Sequence, residues 1–136
     1  MYKFLTKALT LATVLPGMAL CSCSKLSDEA KKIVGTYYNT ELSQTQPVME
    51  LRSDASCLIR AIRPGVLSYS VEGTWNVERD SLILQLEPAS LTWEGDSMMI
   101  GDIPKRNARK IVSYTDFSIQ LEQDGATYLY KRQAQH

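Results

Sequence analysis

The chain has 136 residues, with 15 Lys and Arg against 15 Asp and Glu, three cysteines and one histidine. That length fits one domain, and without a basic excess or basic stripe nucleic acid is not expected as a partner. The single histidine, His136, stands at the extreme C-terminus. This removes most histidine-based metal sites and any Ser-His or Cys-His nucleophile built on a rigid core, so neither a metal nor a cofactor is expected.

In chain order, Met1–Leu20 begins with Lys3 and Lys7, continues through the apolar run Ala8–Leu15 and breaks at Pro16-Gly17. The run is short for a membrane span and reads as a secretory leader. It contains no acid, so its loss leaves a slightly acidic mature chain. The stretch Leu20-Cys21-Ser22-Cys23 resembles a bacterial lipobox. The resemblance implies residues 1–22 as signal peptide, cleavage after Ser22 and acylation of Cys23. Several acyl chains on one residue anchor far more firmly than one. The alternative is plain secretion with a Cys21–Cys23 disulfide. Residues 23–32 then read as a lipidated tether. Its acidic stretch also resembles a surface-export tag, the bland alternative being a solvated spacer.

Ser27–Val34 predicts one or two helical turns, with Ser27 as N-cap and Asp28-Glu29 at the positive end. Gly35–Tyr38 starts the first strand, and the polar Asn39–Pro47 reads as a loop. Val48–Ser53 and Cys57–Arg63 predict two strands around Asp54-Ala55-Ser56, with Met49, Leu51, Cys57, Ile59 and Ala61 facing inward. Leu58 and Ile62 then face outward beside Arg60.

The strongest signal is Tyr69–Glu87. Tyr69, Val71, Gly73, Trp75 and Val77 alternate with Ser70, Glu72, Thr74, Asn76 and Glu78, which is the period of a half-buried strand. Arg79-Asp80 breaks the pattern, and Leu82, Leu84 and Leu86 restart it, giving a hairpin. Pro88 is expected to close this element. Ala89–Glu94 and Ser97–Ile103 predict another hairpin around Gly95-Asp96, and Pro104–Arg109 a basic loop. Lys110–Tyr114, Phe117–Glu122 and Thr127–Lys131 complete the strands, with a turn at Asp124-Gly125. The reading is all-β: about eight to nine short strands in an antiparallel meander closed into a small barrel, after a short N-terminal helical turn.

Three stretches together resemble the lipocalin-like domains of small Gram-negative lipoproteins. They are Ile33–Tyr37, Glu72–Val77 with Asp80–Leu84, and Lys110–Ile119 followed by Thr127–Arg132. The resemblance implies a lipocalin-like barrel over residues 33–136 and carries no assigned activity. The related NlpE-like envelope lipoproteins have a Cys-x-x-Cys, which this chain lacks, so no copper or redox role follows from them.

Chemistry is sparse. The sequence holds no phosphate-binding Gly-rich loop and no paired-cysteine metal motif. Acid pairs such as Glu78/Asp80 read as solvated, and Cys57 reads as a small buried hydrophobe. An enzyme is therefore not expected. Tyr37, Tyr69, Trp75, Tyr114, Tyr128 and Tyr130 are candidates to line a cavity for an apolar or aromatic guest; a filled interior is the alternative. Lys105, Arg106, Arg109 and Lys110 form the densest positive cluster, either a solvated loop or a contact for anionic headgroups. The expected function is a monomeric lipoprotein, anchored to the outer membrane through Cys23 on its periplasmic face or at the cell surface, that binds a small hydrophobic ligand. The alternative is a filled barrel that binds an envelope protein through the loops Asn39–Pro47 or Pro104–Arg109.

Overall fold

The alternation in the sequence closes into a sheet without edges. A computed structural model describes residues 25–134. The leader, Cys21, Cys23 and His136 lie outside the described residues. A short helix, α1 (Asp28–Lys31), precedes eight strands: β1 (Gly35–Tyr38), β2 (Met49–Leu51), β3 (Ser56–Arg63), β4 (Leu67–Glu78), β5 (Ser81–Gly95), β6 (Arg106–Tyr114), β7 (Ser118–Gln123) and β8 (Ala126–Arg132). Each strand pairs antiparallel with the next, and β8 returns to β1 through Tyr37↔Arg132. Closure removes the unpaired strand edges that would otherwise invite association.

The connections alternate between two ends. One end carries α1 and the turns at residues 52–55, 79–80 and 115–117. The other carries the β1–β2 loop, the β3–β4 turn, the β5–β6 connection and the Asp124-Gly125 turn, where both residues have positive φ.

The helical end is packed shut. The Ser27 hydroxyl caps α1 by accepting from the Ala30 amide at 3.2 Å, and it donates to the Val77 carbonyl at 3.0 Å. The Ser27 amide donates to Asn76 Oδ1 at 2.9 Å, which pins the helix beneath the central hairpin. Leu26 and Ala30, in the stretch read as a tether, are buried and belong to the core. Above them Tyr37, Met49, Leu51, Cys57, Trp75, Leu82, Leu84, Ile119 and Leu121 are each at most 2% exposed. Burying an apolar side chain this fully stabilises by about 1.5–3 kcal/mol. Their polar atoms are matched: Trp75 Nε1 donates to the Arg52 carbonyl at 2.9 Å and Tyr37 Oη to the Ile33 carbonyl at 2.8 Å.

Two sequence expectations are corrected. Pro88 does not end its strand. β5 runs on to Gly95, and the expected second hairpin of Ala89–Glu94 with Ser97–Ile103 is absent. Ser97–Met99 is a single 3₁₀ turn instead. The ladder survives because it bulges: Val71 of β4 faces Pro88–Leu91 of β5 between the pairs Glu72↔Glu87 and Ser70↔Thr92. Proline has no amide to donate to the ladder. The Ser90 hydroxyl fills in by accepting from the Glu72 amide at 2.8 Å and donating to the Glu87 carbonyl at 2.6 Å. At Gly73 the strands approach so closely that a Cβ would run into the Gln85 carbonyl. The second correction concerns Pro104–Arg109. From Arg106 onward it is strand, paired with β5 as Gln85↔Arg106 to Ser81↔Lys110.

Candidate ligand cavity

The inward positions that fill the helical end run on toward the other end, where they stop meeting. A cavity of about 370 Å³ opens there. Its two walls differ in chemistry. On β2, β3, β4 and β5 the inward residues are Met49, Ile59, Ala61, Tyr69, Val71 and Leu86. Leu42 and Val48 from the β1–β2 loop, with Ile103 and Pro104 from the β5–β6 connection, extend this apolar side over the mouth. Opposite, β6 presents Asn107 and Arg109, β7 presents Gln123, and β8 presents Tyr128 and Tyr130.

Arg109 sits on the inward register of β6, opposite the fully buried Leu82. Its Nε donates to Asn107 Oδ1 at 2.9 Å. Among the described residues the ion pairs within 4.0 Å are Lys31–Asp28, Lys32–Glu29 and Arg52–Glu50, so no carboxylate neutralises Arg109. Burial pushes the Tyr130 phenol up, against the opposing pull of Arg109 nearby. Tyr128 and Tyr130 stack with ring centroids 6.4 Å apart and an interplanar angle of 18°. Arg60 borders the mouth from the outward register of β3, and its Nη1 donates to the Pro47 carbonyl at 2.6 Å, holding the β1–β2 loop.

The aromatic candidates separate. Tyr69, Tyr128 and Tyr130 line the cavity. Trp75 and Tyr37 belong to the packed end. There burial pushes the Tyr37 hydroxyl up to about 12, with the Arg132 guanidinium pulling the other way. Tyr114 lies at the helical end, beside a groove that it shares with Glu29 and Ile33. A bulge at Val112, between Ile111↔Leu121 and Ser113↔Gln120, turns Tyr114 to the same face as Ile119. Cys57 is fully buried, as expected of a small hydrophobe, and burial pushes its thiol up to about 11. Cys23 lies outside the described residues.

The positive cluster is divided by the strand it stands on. Arg106 and Lys110 face solvent and Lys105 sits in the preceding connection, while Arg109 faces the cavity. Read as a loop, the stretch hid this division. The signal was present as the alternation of Asn107, Arg109 and Ile111 with Arg106, Ala108 and Lys110. Leu42, inside an otherwise polar loop, had no such signal. Among the described residues no group of three or more His, Cys, Asp or Glu is gathered to hold a metal ion. Comparison of the chain with family models, curated proteins and solved structures gives no match.

Proposed function

We propose that this protein is a membrane-anchored lipoprotein, lipocalin-like in its barrel, that binds one small hydrophobic ligand and catalyses no reaction. The observation that carries the reading is the half-filled barrel, with one end packed and the other opening into a mostly apolar cavity of about 370 Å³. That volume falls at the lower end of the range for small-molecule sites, about 300–1,000 Å³. Tyr69, Tyr128 and Tyr130 supply apolar faces with hydroxyl handles.

The lipobox-like stretch supports the anchor. Cys23 stands two residues before Lys25, and two residues of chain reach about 7 Å at most. Lys25 lies at the packed end, where its carbonyl accepts from Asn76 Nδ2 at 3.1 Å. An acyl group on Cys23 therefore holds the packed end against the cell-envelope membrane and turns the open end away from it, toward incoming ligand. A second reading, binding of an envelope protein, is favoured by the exposed apolar side chains Val66, Trp93, Met98 and Met99 in the β3–β4 and β5–β6 region.

Native mass spectrometry of the protein purified from its own cells tests the proposal. A reproducible small-molecule adduct, together with an acylated Cys23, is expected. A bare polypeptide mass that takes up no fatty-acid or aromatic probe would overturn the ligand reading in favour of the protein partner.

A further inference from the structure

The two walls of the cavity are unlike, and the unlikeness specifies a guest. Among the described residues, the charged and amide side chains that enter the cavity from inward strand positions are Asn107, Arg109 and Gln123 of β6 and β7, with the phenols of β8 beside them; Asn39 and Arg60 border it at the mouth. The facing wall is Met49, Ile59, Ala61 and Val71. Among the described residues the one acid along the cavity is Asp102, exposed in the β5–β6 connection.

Arg109 is half-buried and its guanidinium is only partly engaged. Nε donates to Asn107, and among the described residues the two terminal nitrogens have no protein acceptor. Those nitrogens are not sealed from solvent, so water solvates them in the empty cavity. An anion that displaces this water meets the charge beside apolar surface, where a pair is stronger than in bulk water, and the planar fork of a guanidinium matches a carboxylate with two parallel hydrogen bonds. The Asn107 contact fixes the fork in place before any ligand arrives. The cavity volume equals that of about a dozen liquid waters, enough for one hydrocarbon chain of about that many atoms and too little for a two-chain lipid.

We propose that the cavity selects a single-chain amphiphile with a carboxylate head. The head pairs with Arg109, with Tyr130 beside it, and the chain lies against Met49, Ile59 and Val71. This inference rests on the ligand-binding reading above and adds the charge of the ligand and the residue that reads it.

The test compares decanoate, decanol and decylamine, which share one chain and differ in head charge. The full-length protein is presented in nanodiscs of a zwitterionic phospholipid, with empty nanodiscs subtracted. Binding is read by NMR of 13C-carboxyl-labelled decanoate and by displacement with the other two. Wild-type protein is expected to prefer decanoate, with the bound carboxyl titrating at lower pH than the free acid. Arg109→Gln is expected to weaken decanoate by about ten- to a hundredfold, the value of a charged hydrogen-bonded pair, while decanol is unchanged. Lys110→Gln, on the outward face of the same strand, should alter neither. Arg109→Lys keeps the charge without the fork and should fall between. Equal binding of decanoate and decanol by wild-type protein, or an Arg109→Gln variant that keeps the full preference for decanoate, would overturn the carboxylate inference and leave the cavity reading standing. No binding of any of the three would overturn both. A circular-dichroism spectrum and melting curve for each variant separate loss of the head from loss of the fold.

Discussion

The two ends of this barrel are built from the same strands and the same alternation, yet one is a core and the other is a cup. At the helical end α1 covers the opening, and the inward residues Trp75, Leu82, Leu84, Ile119 and Leu121 meet across the axis. At the other end no helix among the described residues covers the opening. The bulge at Pro88–Leu91 carries β5 on with a shifted register, and polar side chains take inward positions on β6, β7 and β8. Stability and binding thus occupy opposite ends of one sheet. A small barrel interior is either filled or holds one guest; here a plug at one end permits both along a single axis.

The sharpest way to break this comparison is to truncate one aromatic at each end. Trp75→Ala removes a side chain that is 2% exposed and leaves the Arg52 carbonyl without its donor. Loss of about 3–5 kcal/mol of unfolding free energy is expected from the cavity left in the core. Tyr69→Ala acts on a half-buried side chain that already borders open space, and a cost of about 1 kcal/mol is expected. Urea denaturation followed by far-UV circular dichroism checks both without relying on the lost tryptophan. Equal costs would mean that the open end is as well packed as the closed one.

High pH should act on the packed end first. Burial raises the Cys57 thiol to about 11 and the Tyr37 hydroxyl to about 12. In each case the unfolded chain releases its proton at a lower pH than the folded chain does. The stability associated with these groups is therefore complete below about pH 9 and is lost as pH rises toward 11–12, at about 1.4 kcal/mol per pH unit for each group in its window. Cys57→Ala should flatten the part of the decline that begins near pH 9, as measured by denaturation midpoints from pH 7 to pH 11. The same burial should keep Cys57 unreactive toward a thiol reagent until the barrel opens. Rapid labelling in native conditions would show that the closed end is not closed.

Much of this fold was legible because period two and turn chemistry are local properties. The hairpin around Arg79-Asp80, the capped turn at Ser27 and the turn at Asp124-Gly125 were each readable from a few adjacent residues. Two features depend on partners distant in sequence. Pro88 reads as a terminator until Ser90 is seen to receive the Glu72 amide. Arg106–Arg109 reads as a basic loop until β5 is seen to pair with it. The cavity shares that dependence. Alternation told which side chains face inward, but not which of them meet a neighbour there. Tyr37, Trp75 and Tyr69 carry the same inward signal, and only the position of α1 separates the first two from the third.

The smallest expected effect is the most diagnostic, because it compares two arginines on the inward register. At the packed end the Arg132 guanidinium stacks over Tyr37 at 5.9 Å and donates to the carbonyls of Val34 at 2.6 Å, Lys32 at 3.2 Å and Thr115 at 3.2 Å. It joins the last strand to the end of α1, and Arg132→Met should cost about 1–3 kcal/mol through carbonyls left without a donor. Among the described residues Arg109 has one hydrogen bond to a side chain and no counter-ion. Arg109→Met removes a charge that the empty barrel does not need and keeps the apolar stem, so stability should stay within about 0.5 kcal/mol of wild type. Thermal and urea denaturation of the two variants side by side decides the matter. A loss at Arg109 as large as that at Arg132 would make Arg109 part of the framework and leave it no freedom to read a ligand.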